Sequence, residues 1–375
     1  MSQYWRVTQE RPYICVRCFN DKRLIEWIKE EGKQGNCSWC AARRIFVVHL
    51  TDLGPAFRDV ADIYAPSEDS HGDWISALLQ EDWDIFSERL LARHDDNVQD
   101  LVVAILEGDL DPKEADTDYS GLFRSTDPFH SSLEEEWETR VAQLLGEETG
   151  HDSLAHGGHD GFDSLEYALS EAGSSYPTGT VLYRARIHLP RHGHDRFSPR
   201  DLGAPPLVRA RSQRANREGE PVLYMASCAQ TALAEVRAWK RAVVAVGRMR
   251  IVRDVSILDL REPPRIESPF FAEFLKWRIE ANALLERFGL ELSRPMVPRE
   301  PETQYARTQH LCDLVRKAGF GGIAYPSAMG PGYNVVLFDA AGATVTDIEY
   351  FEVGNVQFPV EEVRAEKIYF DNYEA

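Results

Sequence analysis

The chain has 375 residues, 61 acidic and 42 basic, for a net charge of −19. That balance argues against nonspecific binding to nucleic acid or anionic membrane, and no apolar run is long enough to cross a bilayer. The length allows two or three domains with a sizeable core, and the absence of an apolar leader segment reads as a soluble cytoplasmic protein.

In chain order, residues 11–47 come first as a compact unit. Cys15-Val16-Arg17-Cys18 and Cys37-Ser38-Trp39-Cys40 flank a helix predicted over Lys22–Glu31. Two CxxC pairs with eighteen residues between them suit a tetrahedral four-thiolate zinc site formed by Cys15, Cys18, Cys37 and Cys40. Four thiolates leave no open coordination position, so such a zinc is structural and supplies folding energy to a segment too small for its own core. The remaining thiols, Cys228 and Cys312, sit in apolar sequence and read as inert core residues.

From Phe46 to about Leu145 the pattern is mainly helical. Trp83–His94, Val98–Leu106 and Leu133–Leu145 carry apolar residues at three- and four-residue spacing, and Asp109–Phe129 has the composition of a loop. His151–Asp163, HDSLAHGGHDGFD, invites a metal reading, but its glycines and lack of helical period favour a flexible linker. The predicted organisation is an N-terminal domain over 1–150, a linker over 151–163 and a second domain over 164–375.

Past the linker, strands are predicted at Val181–Leu189, Val222–Met225, Val243–Val252, Ile257–Asp259, Gly322–Tyr325 and Val335–Phe338. Helices are predicted at Thr231–Trp239, Phe270–Phe288 and Ala306–Ala318. Strands and helices in irregular order indicate an α+β fold. Within this half, Val222–Arg237 is a strand–helix unit with Tyr224 in its strand and Glu235 in its helix, capped by Ser227 or Thr231. The turn before it supplies a cation and an amide, Arg214 and Asn216.

Four ordered motifs between Thr178 and Phe338 resemble the RES domain, named for an arginine, a glutamate and a serine. Leu182–Arg186 resembles its opening strand, with Arg184 as the first arginine and Arg186 the alternative by pattern. Val222–Arg237 supplies the glutamate, Tyr305–Gln309 resembles a Tyr/Thr-Gln helix start, and Phe320–Phe338 the closing strand with Ser327. Gln213 stands where the family usually has glycine. The N-terminal region resembles the zinc-containing, helical HEPN/RES N-terminal module. Arg89 and His94 have the spacing of a HEPN ribonuclease pair, yet i and i+5 do not share a helix face, so they read as a solvated helix end.

The resemblance implies a fold like that of ADP-ribosyltransferases, with NAD as substrate and cleavage of its nicotinamide–ribose bond. Glu235 would stabilise the positive charge on ribose, assisted by Arg184, Tyr224 and Ser327. Arg184, Arg214, Asn216, Tyr224, Ser327 and Asn334 would bind NAD, the arginines gripping its pyrophosphate. It also implies a growth-inhibiting toxin held by an antitoxin with a helix-turn-helix module. Two rival readings are a protein ADP-ribosyltransferase and a zinc-knuckle binding scaffold on an inactive RES fold.

Overall fold

The computed structural model describes residues 3–67, 72–94, 98–108, 110, 117–125, 132–145, 165–189, 196–295 and 305–354. The histidine-rich linker at 151–163 lies outside them. The chain divides into two units: residues 1–168 with 263–285, and 169–262 with 286–375.

The first unit holds α1 (Gln3–Glu10), β1 (Tyr13–Cys15), α2 (Lys22–Glu31), β2 (Lys33–Gly35), β3 (Ile45–His49), α3 (Gly54–Ala61), β4 (Tyr64–Pro66), β5 (Asp73–Trp74), α4 (Ile75–Trp83), α5 (Glu88–His94), α6 (Val98–Glu107), β6 (Leu122–Ser125) and α7 (Ser132–Leu145). Asp21 starts α2 by accepting the Leu24 N–H at 2.8 Å, as an N-cap aspartate does. Helix α6 carries six successive apolar residues, Leu101 to Leu106, all fully buried, so this stretch runs through the core. The aromatic rings of Phe19, Phe57, Phe86 and Phe270 meet in the same core.

This unit is less helical than its periodicity implies. It carries two antiparallel three-stranded sheets, ordered β1-β3-β2 and β4-β6-β5. The helix expected over Trp83–His94 begins only at Glu88, as α5; Trp83 is the last residue of α4, which Asp84 ends with a left-handed backbone (φ 49°).

The second unit is built from α8 (Leu165–Glu171, begun in the first unit), β7 (Gly173–Tyr176), β8 (Val181–His188), β9 (Leu223–Ala226), α9 (Ala229–Glu235), β10 (Val243–Ile251), β11 (Val255–Asp259), α10 (Leu275–Ser293, completed here), α11 (Tyr305–Lys317), β12 (Gly322–Pro326), β13 (Tyr333–Leu337) and β14 (Ala343–Glu352). Its eight strands form one sheet in the order β14-β10-β8-β9-β13-β12-β11-β7, antiparallel except for β11 with β12. Every predicted strand is present within two residues of its predicted ends. The fold is α+β, with helices and strands in irregular order.

The ends of α9 and α10 differ from expectation, and α10 also runs on to Ser293, past the expected Phe288. Helix α9 stops at Glu235, not at Trp239, because Arg237 takes a left-handed backbone (φ 46°). Its cap is neither Ser227 nor Thr231 but Cys228, whose sulfur accepts the Thr231 N–H at 3.5 Å. Helix α10 starts at Leu275 instead of Phe270, since Phe271 and Phe274 are left-handed (φ 57° and 55°). Among the described residues, no helix is long and apolar enough to cross a membrane.

Candidate functional site

The first site is a cluster of thiols. Cys15 ends β1, Cys18 closes the turn after it, and Cys37 and Cys40 bracket the turn after β2. That second turn is pinned by Cys37 N–H to Ala42 O and Ser38 N–H to Tyr13 O, both 2.8 Å. The sulfurs lie 3.5 Å (Cys15–Cys40), 3.6 Å (Cys18–Cys37) and 3.9 Å (Cys15–Cys18) apart. Four ligands at about 2.3 Å around a tetrahedral ion sit about 3.8 Å from one another. The donor set therefore fits a metal ion. Backbone N–H groups of Trp39 and Cys40 point at the Cys37 sulfur, both at 3.4 Å, as they would toward a thiolate. All four thiols are buried, and none is in a disulfide.

The second site is a cleft of about 390 Å³ in the second unit. The sheet register aligns Tyr183, Ala226, Asn334 and Tyr325 in one row across β8, β9, β13 and β12. These four line the cleft, together with Arg184, Arg214, Tyr224 and Glu235. Its size is that of a small-molecule site.

Glu235, at the exposed end of α9, is fixed through one oxygen. Its Oε1 accepts the Ser327 hydroxyl and the Asn334 side-chain N–H, each at 2.7 Å. Ser327 in turn accepts the N–H groups of Met329 (3.1 Å) and Gly330 (3.2 Å), so its hydroxyl proton is free to donate only to the carboxylate. The Ser327–Gly332 loop lies against the start of α9. Gly332 N–H donates to Thr231 Oγ1 and Tyr333 N–H to Ser227 Oγ. A Cβ on Gly330 would fall 2.8 Å from Thr231 Cα.

The two cations are held differently. Arg184 donates to the Tyr224 carbonyl at 2.8 Å, while its buried Nε has no partner. Burial, then the nearby Arg186 charge, draws its pKa down to about 10, so it stays protonated at neutral pH. Arg214 sits at the tip of a turn in which Gln213 and Asn216 exchange backbone hydrogen bonds, and its guanidinium donates to Leu292 O in the last turn of α10. A helix C-terminus suits a cation. Neither arginine makes an ion pair among the described residues, although the chain holds 61 acids. Gln213 itself has no left-handed backbone, so this turn forms without the glycine usual in the resembling family.

Arg186, Asn216 and Ser327 do not reach the cleft. Arg186 is exposed and donates to Asp201 O at 2.6 Å. Asn216 is buried, and its side chain holds the turn: Nδ2 donates to Arg211 O and Arg217 O, and Oδ1 accepts the Tyr224 hydroxyl at 3.0 Å. Tyr224 lines the cleft, and its hydroxyl oxygen also accepts the Ala215 N–H at 3.0 Å. Ser327 donates to Glu235 and is absent from the cleft lining. Cys312 is a buried core thiol, whereas Cys228 is half-buried at the start of α9.

Residues that sequence reasoning missed include Tyr183, Arg237 and Tyr325, all cleft-lining. Only Arg237, two positions after Glu235, offered any signal.

Residues 181–360 match the family described as RES domain. No curated protein matches the chain. Among solved structures, a chain of the M. tuberculosis MbcT–MbcA toxin–antitoxin complex is similar at a TM-score of 0.29 and 12% identity, covering 51% of this chain and 92% of that chain.

Proposed function

From the premise that residues 181–360 of this chain are a RES domain, we propose that it is an enzyme that cleaves the nicotinamide–ribose bond of NAD. The observation that carries this reading is the pair of arginines without acid partners, Arg184 and Arg214, lining one cleft with the anchored carboxylate of Glu235. Arg184 keeps a buried Nε without a partner, which is costly in the absence of an anion, and a diphosphate supplies the missing charge.

In the reaction, the bond from ribose C1′ to the nicotinamide nitrogen breaks and its electron pair leaves with neutral nicotinamide. The ribose is left with oxocarbenium character. Glu235 faces that charge, and its bonds from Ser327 and Asn334 fix it there before the charge develops. Tyr224, its hydroxyl tied to Ala215 and Asn216, offers a rigid ring for the nicotinamide to stack on. Water, or hydrogen phosphate, attacks C1′ and gives up a proton to bulk water. The consequence for a cell is loss of NAD, which suits a cytoplasmic toxin restrained by an antitoxin. Zinc on Cys15, Cys18, Cys37 and Cys40 has a structural role, since all four positions are protein ligands.

Incubating purified protein with NAD tests the reading. Free nicotinamide should appear with ADP-ribose, or with its phosphorylated form when phosphate is supplied. Radiolabel on a protein acceptor would mean a protein ADP-ribosyltransferase instead, and no consumption at all would mean a binding scaffold.

The anchoring loop has its own expected result. Gly330→Ala pushes a methyl into the Thr231 backbone, and so lifts the Ser327 loop from α9. Turnover should fall roughly tenfold, with thermal stability reduced by about 1–3 kcal/mol. A variant that keeps parental turnover would show that the seat of Ser327 does not matter.

A further inference from the structure

Gln309 lies on α11, is buried, and is absent from the cleft lining. Its side-chain nitrogen reaches three oxygens of the turn that carries Arg214: Ser212 Oγ at 2.9 Å, Gln213 O at 2.8 Å and Asn216 O at 2.9 Å. Gln213 and Asn216 are the two residues that close the turn on themselves, so one amide grips both sides of its base. The tip is gripped separately. Ala215 N–H donates to the Tyr224 hydroxyl, and Ala215 O accepts from Arg316 at 3.1 Å. Between these grips the turn presents Gln213 and Arg214 to the cleft, and Arg214 is the one that brings a charge. An NH₂ group has two protons, and here it meets three acceptors, so no donor of Gln309 remains for a ligand. A two-residue turn has little rigidity of its own, and a cation that binds by geometry must be held before the ligand arrives.

We propose that Gln309 is a positioning residue that sets the affinity of the cleft for NAD by holding the Gln213–Asn216 turn, and with it Arg214, in place. The inference rests on the reading of the cleft as an NAD site. It differs from a general stabilising role in one respect: the effect of Gln309 must pass through Arg214.

The test is a double-mutant cycle on the full chain, with NAD consumption and hydrogen exchange as readouts. Gln309→Met keeps length and volume but removes the donors. The Michaelis constant for NAD should rise about tenfold, the worth of roughly one net hydrogen bond, with kcat within about twofold. Exchange of the amides in 211–217 should quicken. In an Arg214→Ala background the same change should leave the Michaelis constant within about twofold. Gln309→Asn, which keeps polarity but draws the amide back by one carbon, should reproduce the affinity loss if the methionine variant does not fold. An unchanged Michaelis constant in a folded variant overturns the proposal, and so does an equal rise with and without Arg214. A parent protein that neither binds nor consumes NAD defeats the reading of the cleft instead.

Discussion

Glu235→Gln should lower NAD turnover by about a hundredfold or more and leave NAD binding nearly unchanged. The amide oxygen of glutamine can accept the same two bonds that Glu235 Oε1 takes from Ser327 and Asn334. Shape and anchoring are therefore kept, and what disappears is the charge. A charge aimed at a cation that exists only near the transition state contributes to kcat and not to ground-state affinity. Losing one such aimed group costs about 2.7–4 kcal/mol, a factor of 10² to 10³. Glu235→Asp separates charge from placement, because the shorter side chain keeps the carboxylate but cannot hold both bonds from the same backbone. It too should be slow. Arg214→Ala removes a contact made before and during the reaction, so its loss should appear as weaker NAD binding. A folded Glu235→Gln protein consuming NAD at the parental rate would reject the mechanism.

Replacing Cys37 by serine, or stripping the metal with a chelator, should unfold residues 11–49. The sheet there has strands of three, three and five residues. Such short strands form no stable sheet alone. The four cysteines lie inside the core cluster that contains Ile14, Leu24 and Ile28, so the metal and the apolar contacts hold the same residues. Structural zinc is worth about 10–16 kcal/mol in small domains, comparable to or above the whole stability of an ordinary one. Cys37 is the telling position because three sulfur or backbone contacts converge on it: Cys18 Sγ, Trp39 N–H and Cys40 N–H. The parent should carry about one zinc per chain by mass spectrometry. The variant should lose both the zinc and the slow hydrogen exchange of β1 to β3. Metal-free parent protein with four freely titrating thiols, or a variant as protected as the parent, would sink the zinc assignment.

Six of the eight strands of the second unit were legible because they are runs of apolar, β-branched residues, whereas β7, Gly173–Tyr176, and the mostly exposed β14 lack such a run. The small sheets of the first unit were not. Lys33-Gln34-Gly35 has no strand signal, and it is a strand only because β3 offers it partners. Single backbone reversals at Asp84, Arg237, Phe271 and Phe274 moved helix ends by several residues, and only the first has a side chain that favours them. Motif order brought out Arg184, Arg214, Tyr224, Glu235, Ser327 and Asn334, but not the division of labour among them. Asn216 is spent on the turn because a buried amide must be satisfied where it lies. The bond from Ser327 to Glu235 spans 92 positions, a distance that no local pattern encodes.

Phe270 and Leu275 are buried in the first unit, with the Phe270 ring 5.0 Å from that of Phe57, yet they arrive late in the chain. On the ribosome, residues 1–168 emerge first and residues 263–285 only after the stretch 169–262 has been made. At roughly 5–20 residues per second that wait is on the order of 5–20 s. During it the nascent N-terminal unit has an open core, with Phe57 facing solvent or a chaperone. Translation that stops short of residue 263 releases a chain that cannot close this core and is fit mainly for proteolysis. A gene fragment begun at Ser164 has the converse defect, since it makes Phe270 without Phe57.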